Sequence, residues 1–269
     1  MTDQKRFSSG SSARSVFYEE AGKGFPLILI HGFPHNRSLW ADQLFGLCDR
    51  CRVIAPDLRG FGESPPAPPW SMESFAGDIA ALMERLEIEK AIIGGLSMGG
   101  YVAFEFLRRY GDRVHSLILA DTRAGADSDE TKAKRRELQR IAQTGGAQAV
   151  ADAQIVGMIG ATTRETRPDI VQRMHAMMSS APVEGIVGAL EAMMNRPDST
   201  PMLSEIDVPV LIAVGEEDAL TPVKESRAMH EAIPHSTLAI IPKAGHVSNI
   251  EDHLEFNSVA RNFLASVGH

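Results

Sequence analysis

The sequence predicts an α/β protein with a mostly parallel sheet, helices on both faces and a helical cap insertion. Three observations predict it. Short β-branched runs recur along the chain, amphipathic helical patterns separate them, and one long stretch, residues 124–202, has helical patterns but no convincing strand. With 269 residues, 43% of them hydrophobic and 23% charged, the chain has material for one sizeable core.

Each element has its own signal. Val16-Phe17-Tyr18-Glu19 predicts an antiparallel edge strand. Buried strands are expected at Leu27–Ile30, Val53–Ala55, Ala91–Ile93, Leu117–Ala120, Val210–Val214 and Leu238–Ile241, each a short apolar run bounded by turn residues. Helical periodicity marks Leu39–Leu47, Ser71–Leu86, Gly99–Tyr110, Pro222–Ile233 and Glu251–Ala265. Gly145-Gly146, Gly160, Pro168, Pro182 and Pro197 punctuate the insertion. The expected organisation is therefore a core of residues 1–123 and 203–269, with residues 124–202 capping the strand ends.

Charge and cysteine usage exclude several function classes. A formal charge of −8 and a pI near 5.6 leave no basic footprint for nucleic acid or for an anionic membrane. Lys132-Ala133-Lys134-Arg135-Arg136 reads as a solvated helix face. The polar segment Met1–Ser15 lacks the apolar run of a signal peptide, so a cytoplasmic protein is expected. Cys48 and Cys51 form a Cys-x-x-Cys with no second pair, and packing as small hydrophobes explains them better than zinc or redox chemistry.

The chemistry-bearing stretch is Gly94-Gly95-Leu96-Ser97-Met98-Gly99-Gly100, at a strand-to-helix junction. A hydroxyl that must project from a strand end needs a tight turn, and the residues two before and two after it must be small. Gly95-Leu96-Ser97-Met98-Gly99 meets that demand, and the helix beginning there favours negative charge beside Ser97. Serine is a weak nucleophile at neutral pH and needs a base with a group to orient it. Of nine histidines, His246 alone follows both a strand and a turn, at the sheet edge where ligands bind. His175, His230 and His253 fall in helical patterns, while His35, His115, His235 and His269 read as loop or terminal residues. Asp218, after the strand Val210–Val214, is the chosen orienting acid because it keeps the chain order Ser, Asp, His. Asp121, after Leu117–Ala120, is its rival. The N–H groups of Met98 and Phe33 are the expected oxyanion donors, the latter because Pro34 has none, and His31 is expected to stabilise its loop.

These residues, with His31-Gly32-Phe33-Pro34 and Asp57-Leu58-Arg59-Gly60-Phe61-Gly62-Glu63-Ser64, resemble the α/β-hydrolase fold family over nearly the whole chain. They are similar within it to the esterase, perhydrolase and enol-lactonase branch. The resemblance implies a serine hydrolase with a helical cap and no metal or cofactor. Relatives that use an aspartate nucleophile are set aside by Ser97. Epoxide hydrolases are set aside also because Tyr18, Tyr101 and Tyr110 all lie outside the cap, and carbon–carbon bond hydrolases often carry Asn where Gly95 stands.

A carboxylesterase acting on a small-molecule ester through an acyl-enzyme on Ser97 is the expected function. Enol-lactonase-like or perhydrolase activity is the alternative, and a ligand-sensing receptor on the same fold is a third reading. A lactonase acting on an anionic substrate would need a cation, for which the insertion offers Arg164, Arg167, Arg173 and Arg196. Six of the twelve methionines, Met158, Met174, Met177, Met178, Met193 and Met194, fall in the helical stretches of the insertion. At least one of Met177, Met178, Met193 and Met194 is expected to line an adaptable acyl pocket.

Overall fold

The computed structural model describes residues 16–268. The segment Met1–Ser15 and the terminal His269, read above as polar and loop-like, lie outside the described residues. Two strands open the described part, β1 (Tyr18–Ala21) and β2 (Pro26–Ile30), followed by α1 (Ala41–Leu47), β3 (Arg52–Pro56), α2 (Met72–Arg85), β4 (Ala91–Leu96), α3 (Met98–Tyr110) and β5 (Val114–Ala120). Four helices then intervene: α4 (Asp129–Met158), α5 (Ala161–Thr166), α6 (Pro168–Ser179) and α7 (Val183–Met194). The sheet resumes with β6 (Val210–Gly215), α8 (Val223–Ala232) and β7 (Ser236–Ile241), and the short α9 (Ser248–Glu251) and long α10 (His253–Val267) close the chain.

The seven strands lie in the order β1-β3-β2-β4-β5-β6-β7. β1 is antiparallel to β3 at one edge, as its sequence predicts, and every other pairing is parallel. Alternation along each strand divides the core in two. In β2, Leu27 and Leu29 face α1 and α10, while Ile28 and Ile30 face α2 and α3. Strands buried on both faces read as continuous apolar runs for this reason.

Local signals set the helix ends. Ser71 caps α2 in a reciprocal pair with Ser74, and the Asp252 carboxylate accepts from Glu255 N to start α10. The predicted helix Glu251–Ala265 is thus broken at Asp252, where φ is −131°. Pro168 opens α6 and Pro182 precedes α7. α4 is kinked at Gly146, where φ is 73°. His115 is a correction: it lies inside β5, not in a loop.

The insertion α4–α7 is bonded to the loops at the C-terminal strand ends. His246 N donates to Met158 O at 3.1 Å, Gly160 N to the Glu251 carboxylate at 2.9 Å, and Thr162 Oγ1 to Glu217 at 2.5 Å. Among the described residues no helix is long and apolar enough to cross a membrane.

Candidate active site

Aligned strand ends bring distant residues together. Ile30 pairs with Gly95, Leu96 with Ala120, Ala120 with Ala213, and Gly215 with Ile241. The loops that follow β2, β4, β5, β6 and β7 therefore emerge side by side, carrying Phe33, Ser97, Asp121, Asp218 and His246.

Ser97 links β4 to α3 in a backbone conformation of φ 53° and ψ −113°, which side-chain-bearing residues rarely adopt. Its surroundings over-determine that strain. Ser97 N donates to Ala120 O at 2.9 Å, and Thr122 Oγ1 donates to Ser97 O at 2.8 Å. A Cβ on Gly95 would fall 2.2 Å from the Gly99 backbone, and one on Gly99 would fall 2.2 Å from Ile30 O. Within Ala91–Gly100 every residue is buried except Ser97, which is partly exposed.

Ser97 Oγ lies 2.8 Å from His246 Nε2, and His246 Nδ1 lies 2.8 Å from Asp218 Oδ2. The carboxylate fixes the tautomer: Nδ1–H donates to Asp218, leaving Nε2 to accept from the serine hydroxyl. Asp218 is itself held by Leu220 N at 2.8 Å, Thr221 N at 2.9 Å and Thr221 Oγ1 at 2.6 Å. Burial disfavours the His246 cation, but the charge and hydrogen bond of Asp218 outweigh it and raise the imidazole above its ordinary value. Burial likewise opposes the Asp218 anion, while His246 and Thr221 hold its carboxyl below the usual range.

Asp121 has different partners. It accepts from Gly215 N at 2.8 Å and from Ser248 N and Oγ at 3.2 and 2.6 Å, tying the end of β6 to the loop beyond His246. Burial first, then the Asp218 charge, push its carboxyl well above the ordinary value. The rival acid is thus a clamp on the two loops that carry the pair His246 and Asp218.

Met98 begins α3, so its N–H has no acceptor within the helix. Phe33 is buried in the loop after β2. His31 holds that loop: its Nε2 accepts from Leu58 N at 3.0 Å, its Nδ1 lies 2.8 Å from Gly32 O, and its ring meets Phe61 edge-on. His35 is buried, and burial pushes its pKa well down, so it is neutral.

A cavity of about 300 Å³ lies above Ser97, with Phe33, Met158, Met193 and His246 among its walls. Of the four methionines of which at least one was expected there, Met193 lines it. Met177, Met178 and Met194 do not: Met177 and Met178 pack with Ile170 and Met174 in the core on the α1 and α10 side, and Met194 is buried elsewhere. Met158, which was not singled out, takes a place in the wall. The helical period gave a face for each methionine but not the direction in which that face would point.

The candidate cations also need correction. Arg164 binds Val156 O and Ile159 O, Arg167 pairs with Asp169, and Arg173 with Asp42. Arg196 is buried against Asp127 and the Tyr101 ring. The cations on the cavity wall are Arg123, Lys134 and Arg135, so the basic run is not wholly solvated. Thr221 was also missed as a partner of the acid, although its place three residues after Asp218, ahead of a helix-opening proline, is a readable turn signal.

Cys48 and Cys51 are free, and burial pushes the Cys51 thiol up to about 12, which leaves it unreactive at neutral pH. Among the described residues no three His, Cys, Asp or Glu side chains converge as a metal would require.

Known proteins agree with this architecture. A thermophilic esterase from Thermogutta terrifontis, solved with malate bound, is 41% identical with a TM-score of 0.92, and the match covers 94% of each chain. An enol-lactonase from Burkholderia xenovorans LB400 is 29% identical, with a TM-score of 0.85 over 93% of this chain and 96% of that one. 3-Oxoadipate enol-lactonase 2 of Acinetobacter baylyi is 30% identical over 238 residues, 86% of this chain and 85% of that protein. The pattern of the α/β hydrolase fold matches residues 26–253, spanning every strand from β2 to β7 and the loops that carry Ser97, Asp218 and His246. On that match the chain belongs to the α/β-hydrolase family, and it is a hydrolase.

Proposed function

We propose that the chain hydrolyses carboxylic esters, lactones included, through an acyl-enzyme on Ser97. The observation that carries this reading is the unbroken hydrogen-bonded line from Ser97 Oγ through His246 to Asp218, opening on a cavity of about 300 Å³. Ser97 attacks the carbonyl carbon as His246 Nε2 takes its proton. The N–H groups of Phe33 and Met98 receive the developing oxyanion, and Asp218 stabilises the imidazolium. His246 returns the proton to the leaving alcohol, then activates the water that releases the acid and restores Ser97.

In the same reading α4–α7 act as a cap. Their contribution is the apolar wall at Met158, Leu138 and Met193, facing the strand-end loops. The enol-lactonase relatives support lactone opening at this site, since a lactone differs only in a leaving alcohol that stays tethered to the acyl group.

The test is multiple turnover of a short p-nitrophenyl ester, with labelling of Ser97 by a serine-directed phosphonate. Sustained turnover that the phosphonate abolishes is expected. Slow or single turnover would instead favour a ligand-sensing role.

A further inference from the structure

In a chain of formal charge −8, the cavity above Ser97 has cationic charged walls. Among the described residues, Arg123, Lys134 and Arg135 line it together with His246, and no carboxylate does. Lys134 is largely exposed and pairs with Glu130 at 2.7 Å, so solvent and that partner screen it.

The two arginines are different. Asp127, its side chain wholly buried, accepts from Arg123 at 3.0 Å, Arg135 at 2.5 Å and Arg196 at 2.6 Å. Burial opposes its charge, yet the arginines hold its carboxyl below the usual range, so it stays ionised. Three guanidiniums share this carboxylate and Asp198 also acts on Arg196, so among the described residues Asp127 is the one acidic side chain in an ion pair with both Arg123 and Arg135. Arg196 does not line the cavity: it lies 4.0 Å over the Tyr101 ring and donates to Met193 O and Gly125 O. Arg123 and Arg135 reach the cavity wall, their side chains 23% and 17% exposed, and Arg123 also bonds the Tyr101 side chain. Arg123 bonds Asp127 through one Nη, and Arg135 through Nε and one Nη, so each guanidinium keeps N–H groups for a ligand, and a planar guanidinium fork matches a carboxylate.

We infer that Arg123 and Arg135 form an anion subsite, and that the substrate is an ester or lactone bearing a free carboxylate. This rests on the reading of Ser97 as the nucleophile. The carboxylate belongs to either the acyl or the alcohol part, and the test separates the two.

In the acyl arm, kcat/KM is compared for p-nitrophenyl hemiglutarate and p-nitrophenyl hexanoate. In the alcohol arm, 4-carboxyphenyl butyrate is compared with 4-carbamoylphenyl butyrate. One arm is expected to show a preference of about ten- to a hundredfold for the anionic ester. Within Arg123→Gln and within Arg135→Gln that ratio should fall towards one, mainly through KM, with Arg123→Lys restoring part of it. A ratio read inside one variant is unaffected by how much of that variant folds. Ratios near one in both arms, or a preference that survives both Gln variants, would overturn the subsite while leaving the hydrolase reading intact. If the native chain turned over no ester, the hydrolase reading would fall, and calorimetry with glutarate would decide the subsite separately. Binding weakened in Arg135→Gln would uphold it, and absence of binding would overturn it.

Discussion

The strand-end loops and the helical insertion form opposite walls of one cavity, by different physical means. On the strand side, hydrogen bonds fix the polar groups: Ser97, His246, Asp218 and Thr221 are joined by bonds of 2.6 to 2.8 Å, and Asp121 clamps the loops behind them. On the insertion side, Met158, Leu138 and Met193 supply contact and shape, and Arg135 charge. On the function proposed above, that difference assigns the choice of reaction to the strand-end loops and the choice of substrate to the insertion. Substitutions in the first wall should cost powers of ten in rate, and those in the second should reorder substrates.

The largest effect is expected from Ser97→Ala, with ester turnover falling by at least about a thousandfold while the circular dichroism spectrum stays native. Near-native turnover would remove Ser97 from the reaction and the comparison with it. Next comes the contrast between neighbouring aspartates. Asp218→Asn should lower kcat by about ten-thousandfold through a mis-set His246 tautomer, as in other serine triads. Asp121→Asn should cost far less, because the loops it clamps keep their other bonds. Steady-state kinetics giving the reverse ranking would transfer the acid to Asp121.

The pH profile sharpens the same point. His246 must be neutral to accept the Ser97 proton, so kcat/KM should rise with pH through the His246 titration. Asp218 raises that pKa in spite of burial, so the midpoint should lie above the ordinary value of about 6.5. In residual activity of Asp218→Asn, burial is left without its main opponent and the midpoint should move to lower pH. A midpoint below about 6.5 in the native chain would contradict the ionised Asp218 contact.

The smallest effects belong to the insertion. Met193→Ala should shift preference towards longer acyl chains by about 1 to 3 kcal/mol in relative specificity. Met178→Ala, in the packed core, should instead lower stability by about 2 to 5 kcal/mol and leave the chain-length ranking unchanged. Paired melting and chain-length assays check both, and identical behaviour of the two variants would erase the distinction between wall and core methionines.

Much of the sheet was legible because its signals are local. All seven described strands overlap their predicted runs, the five inner ones because a strand buried on both faces must be apolar at consecutive positions. Gly95 and Gly99 announce the turn at Ser97 because a side chain at either would collide with backbone. His246 and Asp218 were readable from loop position alone, since parallel strands deliver their following loops to one edge. His115 was misread because its partly buried place in β5 lies at a strand start, where the pattern is weakest.

The sequence by itself determined the order of strands and helices, the turn that projects Ser97, and the strand ends that carry its partners. Each depends on neighbours within a few positions or on the alternation of elements along the chain. Only the tertiary structure decided which way the insertion helices face. Rotation about a helix axis is set by packing against segments far away in sequence, so Met193 and Met177 carry the same local signal yet meet different surroundings. Asp127 drew Arg123, Arg135 and Arg196 together from a loop and two ends of the insertion. No spacing in the sequence encodes that convergence, because a charged side chain is placed by where a desolvated partner lies in space.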